Sequence, residues 1–131
     1  MDLDNFTLDD NLSVSGKWVP ISANASLLIA RLNNEKYREF VKKKLKPYRS
    51  AMRAGSVDED LMNKVVIQAV ARHVLLDWKG LTEKGNPVPY SIEKAEEVLE
   101  AKEAFRDLVI SLASDQQLFM EAEEEDSEKN S

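Results

Sequence analysis

His73 is the only histidine in the chain, and it stands four residues before Asp77. On a helix that spacing would let a carboxylate orient an imidazole as a general base. No serine, threonine or lysine is spaced to serve as its nucleophile, and one histidine makes a poor metal site. A histidine of intermediate burial with a structural role is the plainer account. A second group is Lys42-Lys43-Lys44 with Lys46, a run that could meet phosphates or an anionic membrane. The same run is also what the solvated face of an amphipathic helix looks like. A third reading is a basic face that docks an acidic segment of its own or another copy, steering association more than adding affinity. The third group is Glu121, Glu123, Glu124, Glu125, Asp126 and Glu128. These carboxylates lack the ligand order and central glycine of an EF-hand. No glycine-rich phosphate loop, G-x-S-x-G or H-E-x-x-H occurs, and there is no cysteine. The residues therefore offer no catalytic, metal-binding or cofactor-binding constellation, and the expectation is a protein that is not an enzyme and needs no cofactor.

Charge and length narrow the classes further. The chain has 131 residues, 43% of them hydrophobic and 32% charged, enough for one core with solvated helix faces. A formal net charge of −6 opposes general nucleic-acid binding, which rests on neutralising phosphates. The distribution is uneven: Lys36, Arg38, Lys42, Lys43, Lys44, Lys46, Arg49 and Arg53 crowd one stretch, opposed there by Glu39 alone. No run of about 18 uncharged apolar residues could span a bilayer as a helix. Asp2, Asp4, Asp9 and Asp10 are wrong for a secretory signal, which wants a basic start. No nucleic acid and no membrane is the expectation.

The elements that would position these groups can be laid out along the chain. Residues 1–15 are polar and acidic and read as a flexible arm. Lys17-Trp18-Val19-Pro20-Ile21 reads as an edge strand, since Pro20 cannot donate to a ladder. Ser26 to Leu32 could return as its partner, though so short an apolar run could equally begin a helix. Asn34 is a good N-cap for a helix carrying Tyr37, Phe40, Val41 and Leu45 on one face, and Pro47 should end it. Ser56 and Glu59 have capping-box spacing. The helix after them is expected to run past His73 to a stop at Gly80, with Val66 and Val70 buried. Residues 81–90 read as a loop. Ser91 caps a further helix, and a second helical pattern reaches towards Phe119 with no Gly or Pro between the two, so that they read as one long helix or as two. The predicted class is mainly α, about four helices with an N-terminal β-hairpin. The layout is an arm over 1–15, one helical domain over 16–120 and a disordered acidic tail over 121–131.

Val74 to Ser91, VLLDWKGLTEKGNPVPYS, carries a resemblance. Read as a helix end at Asp77-Trp78-Lys79-Gly80 followed by a start at Pro89-Tyr90-Ser91, it resembles the middle of tail assembly chaperones of long-tailed bacteriophages. Gly16-Lys17-Trp18 and Ile29-Ala30-Arg31-Leu32-Asn33-Asn34 look like that family's N-terminal part, and Glu128-Lys129-Asn130 like its ending. The resemblance implies a homo-oligomerising chaperone that coats the tape measure protein, keeps it soluble and recruits tail tube subunits. It also implies a frameshifted, extended form contacting the tube protein, residence in the host cell cytoplasm, and absence from the mature virion. Trp18, Trp78, Tyr90, Lys42, Lys43, Lys44 and Lys46 are the candidates to meet partners, although Trp78, at the end of the most apolar helix, reads more readily as a core anchor. A small DNA-binding regulator using the lysine-rich helix is the alternative, opposed by the acids of Val57-Asp58-Glu59-Asp60, which would repel phosphates at the start of the next helix.

Overall fold

A computed structural model describes residues 1–56 and 58–121. After a 3-10 turn at Leu3–Phe6 come helix α1 (Asp10–Ser15) and strands β1 (Lys17–Pro20) and β2 (Ser26–Ile29). Helices α2 (Glu35–Leu45), α3 (Arg49–Arg53) and α4 (Glu59–His73) follow, then strands β3 (Leu75–Lys79), β4 (Thr82–Glu83) and β5 (Asn86–Pro87). Helices α5 (Ile92–Ala101) and α6 (Glu103–Ala113) and a 3-10 turn at Gln116–Phe119 complete the order.

The expected hairpin forms, with Trp18 opposite Leu28 and Lys17 opposite Ile29, so Ser26–Ile29 is a strand and not a helix start. It is two-thirds of a larger sheet. β3 pairs antiparallel with β2, Leu27 opposite Trp78, giving the order β1-β2-β3. β4 and β5 make a second, two-stranded sheet. With 57% helix and 16% strand among the described residues, the protein is mixed α/β, and the mainly-α expectation is corrected.

The correction turns on where α4 ends. The helix was expected to continue to Gly80; it stops at His73, and Val74 leaves helical geometry at φ −128 and ψ −60. Carbonyls at a helix C-terminus need partners, and here distant residues supply them. Asn34 Nδ2 donates to His73 O at 2.8 Å, Ala30 N to Val74 O at 2.8 Å, and Tyr90 Oη to Ala71 O and Leu75 O at 3.2 and 2.7 Å. Those bonds turn the chain into β3.

Three smaller expectations also change or are decided. The N-cap of α4 is Asp58, whose carboxylate accepts from Asp60 N and Leu61 N, in place of the Ser56–Glu59 box. The α5 and α6 patterns are separate helices, broken at Lys102 (φ −114, ψ 87). The 1–15 arm is docked in its second half. Asp9 N donates to Phe119 O at 2.7 Å, Glu121 N to Thr7 O at 2.9 Å and Arg31 N to Ser13 O at 2.9 Å. Beyond Glu121, the predicted acidic tail lies outside the described residues.

Leu27, Ile29, Val70, Val74, Leu75, Leu99, Val109 and Phe119 are essentially inaccessible and form one cluster between the sheet and the helices. Each such side chain contributes roughly 1.5–3 kcal/mol on burial. Val70 is buried as expected, whereas Val66 is half-buried.

Asn34 is the one wholly buried amide in this junction, 1% exposed. Its Oδ1 caps α2 by accepting from Tyr37 N at 3.0 Å, while Nδ2 bonds both Arg31 O and His73 O at 2.8 Å. Asn34→Ala is expected to cost about 2–4 kcal/mol, from a lost cap and carbonyls left unpaired. Asn34→Asp keeps the cap acceptor but turns a carboxylate towards two carbonyls, and should be no more stable than the alanine variant. Urea melts of both decide it: an aspartate variant as stable as the parent would show the two donated bonds to be unimportant.

Candidate protein-interaction surface

α2 owes its orientation to its apolar stripe. Leu45 is buried, Tyr37, Phe40 and Val41 are half-buried, and Lys42, Lys43 and Lys44 are exposed on the far side. Phe40 meets the His73 ring edge-on at 5.6 Å between centroids, with the Arg72 guanidinium 5.4 Å and the Lys44 ammonium 5.6 Å from its centre. Arg72 also pairs with Glu96 of α5, so one arginine joins α2, α4 and α5. The basic helix therefore sits on a fixed support.

Pro47 acts as expected. α2 ends at Leu45 and the chain tightens into the 3-10 turn Lys46–Tyr48 before α3. This bend brings Lys42, Lys43, Lys46 and Arg49 around one shallow concavity that Glu39 also lines. Tyr48, within the same turn, leaves 44% of its surface exposed. Three of the four predicted lysines thus converge, and Lys44 lies apart, over Phe40. Tyr48 and Arg49 were not among the predicted partner-binding residues. Pro47, which forces the bend, was the available signal.

Trp78 is placed inside, and Tyr90 is half-buried beside it. Trp78 is 5% exposed, its indole N–H donating to Val88 O at 2.7 Å, and its ring meets Tyr90 at 4.9 Å and 80°. Burial, then the nearby Asp77 and Glu93 carboxylates, push the Tyr90 hydroxyl up to about 12, so it remains a donor to the end of α4. Trp18 is half-buried on β1 with the Lys79 ammonium 4.0 Å above its ring, a cation–π contact across the sheet.

Trp78 nevertheless reaches one surface feature. It forms part of the floor of an open cleft between the β4–β5 hairpin and the α5–α6 junction, with Leu81, Val88, Val98 and Phe105 beside it and Lys84 and Lys102 at the rim. Lys94 bonds Glu83 at 3.6 Å and Glu97 at 3.3 Å, tying the hairpin to α5. Sequence reading treated 81–90 as loop and missed the cleft, because its apolar residues come from three elements with no shared period.

The general-base pairing is not formed. Asp77 lies on β3, not one helical turn beyond His73, and its carboxylate accepts from Trp78 N at 2.7 Å. Burial first, then the charges of Lys36 and Arg72, lower the His73 pKa. Among the described residues no group of three or more His, Cys, Asp or Glu could hold a metal ion, and no helix is long and apolar enough to cross a membrane.

Residues 32–130 match the family model described as YdaY prophage protein, well over half of the chain. No curated protein and no solved structure matches it.

Proposed function

This chain belongs to the YdaY prophage protein family, and from that premise we propose that it is a non-catalytic phage assembly factor, a tail assembly chaperone. In this reading it works in the host cytoplasm, binds the tape measure protein, keeps it soluble and helps tail tube subunits assemble around it. The observation that carries the reading is the concavity lined by Lys42, Lys43, Lys46 and Arg49 on α2 and the segment after it, with Tyr48 exposed in the intervening turn. A fixed basic helical face suits an extended acidic or amphipathic helical partner. Repeated modest contacts of this kind become effective when many copies share one long partner. The resemblance of residues 16–130 to tail assembly chaperones points the same way. Its helix-end motif is realised differently, however, since Trp78-Lys79-Gly80 closes a strand.

The test is co-expression with the tape measure protein of the same prophage. This chain should raise that protein's soluble yield and co-purify in many copies per partner. Replacing Lys42, Lys43, Lys44 and Lys46 together with glutamate should weaken the complex and leave the isolated domain folded, because all four are exposed. Equal solubility of the large partner without this chain, with no complex at low salt, would sink the proposal. The same lysine face favours one rival, a DNA-binding regulator. Tight, salt-sensitive binding to duplex DNA, abolished by the four substitutions, would favour that rival instead.

A further inference from the structure

Among the described residues, a short apolar and acidic segment stands out from the fold. Leu3 is 83% and Phe6 52% exposed, in a 3-10 turn that also carries Asp2 and Asp4. With Met1 they are the three most exposed large apolar side chains among the described residues. The cleft floored by Trp78, Val88 and Phe105 has the complementary character, apolar within and edged by Lys84 and Lys102. Neither lysine makes an ion pair among the described residues, while the one acid at the rim, Glu83, is held by Lys94. We propose that residues 1–6 of one copy dock in this cleft of a second copy, Leu3 and Phe6 on the apolar floor and Asp2 and Asp4 against Lys84 and Lys102.

Geometry favours the second copy over the same one. The cleft adjoins the first turn of α6, whereas the segment is anchored beyond that helix's last turn, by Asp9 N to Phe119 O and Glu121 N to Thr7 O. α6 is about 16 Å long at 1.5 Å per residue. Six residues reach about 20 Å only when fully extended. Docking within one chain would therefore unwind the turn and use its whole length, whereas docking in trans keeps the turn intact. The contact joins two different surfaces, so copies add head to tail, giving a ring or an open chain. A basic-rimmed apolar cleft gripping a few residues makes a weak link, suited to assembly at high local concentration. The inference goes beyond the proposed function and does not depend on it.

Sedimentation of the purified full chain tests it without any other protein. The parent should associate at high micromolar to millimolar concentration. Leu3→Ser with Phe6→Ser should weaken association by roughly tenfold or more, and so should Lys84→Glu with Lys102→Glu. All four positions are exposed, so circular dichroism should show both double variants folded. Mixing the two is the decisive arm. The first keeps an intact cleft and the second an intact segment, so together they should form one-to-one dimers and nothing larger. A parent that stays monomeric at millimolar concentration overturns the proposal, and so does a mixture that fails to dimerise.

Discussion

Gly80→Ala is expected to unfold the protein or to remove on the order of 3–5 kcal/mol of its stability. Gly80 closes β3 at φ +75, a region where an L side chain costs roughly 1–2 kcal/mol before any contact is considered. Contact is the larger matter. A Cβ there would lie 1.8 Å from Asn24 O and 2.9 Å from Asn24 C, both backbone atoms of the β1–β2 turn. No rotamer change relieves a collision with main chain, so either the turn or the end of β3 must move. Gly85 is the control. It has φ +82 but nothing within 4 Å of its would-be Cβ, so Gly85→Ala should lose only the conformational part, roughly 1–2 kcal/mol. Thermal melts of the two variants separate these contributions. If Gly80→Ala melts no lower than Gly85→Ala, the close approach of turn and strand is wrong.

Val70→Asp should be comparably severe. Val70 is 1% exposed on the face of α4 that meets the buried cluster, and among the described residues no buried side-chain polar atom lacks a partner. A carboxylate there would enter a well-satisfied interior with no cation prepared for it. An uncompensated buried charge costs about 3–5 kcal/mol, a large share of the 5–15 kcal/mol that typically holds a domain together. Val66→Asp should cost markedly less, because Val66 is half-buried and its carboxylate can turn to water. Denaturant midpoints measure both. Equal losses at the two positions would mean that the depth of α4 is misjudged.

What could be read from the sequence was local. Asn34 and Ser91 cap α2 and α5 as their types suggest, accepting from Tyr37 N and Lys94 N. Pro47 ends α2, and the apolar stripe of that helix correctly leaves Lys42 and Lys43 in solvent. What could not be read depends on partners far away in the chain. Val74-Leu75-Leu76 is apolar at every position, so it carries neither a helical nor a strand period. Its fate is decided by β2, which offers Leu27 and Ile29 as pairing partners, by Ala30 and Tyr90, which bond the carbonyls of Val74 and Leu75, and by Asn34, which bonds that of His73 just before it. The candidate site divides in the same way. The lysines were legible because exposure follows from helical periodicity. Trp78, read chiefly as a core anchor, is buried with its indole on Val88 O, whereas Tyr90, read as a partner contact, bonds Leu75 O. Which aromatic turns inward depends on those acceptors, and nothing local to Trp78 or Tyr90 announces them.

The junction at the end of α4 also bears on the order in which the chain can fold. α2 and α4 are neighbours in space separated by one short helix, so their packing closes a modest loop and can form early. Pairing β2 with β3 is different, since α2, α3 and α4 all lie between those strands. The entropy of closing that longer loop must be met before the strand bonds are gained. During synthesis the carbonyls of Ala71 and Leu75 also wait for Tyr90 to emerge. Until then Tyr90 cannot hold the helix end open, and the local sequence of residues 74–76 does not itself choose between helix and strand. The strand therefore depends on residues on both sides of it, the β2 edge earlier in the chain and the Tyr90 hydroxyl later in it.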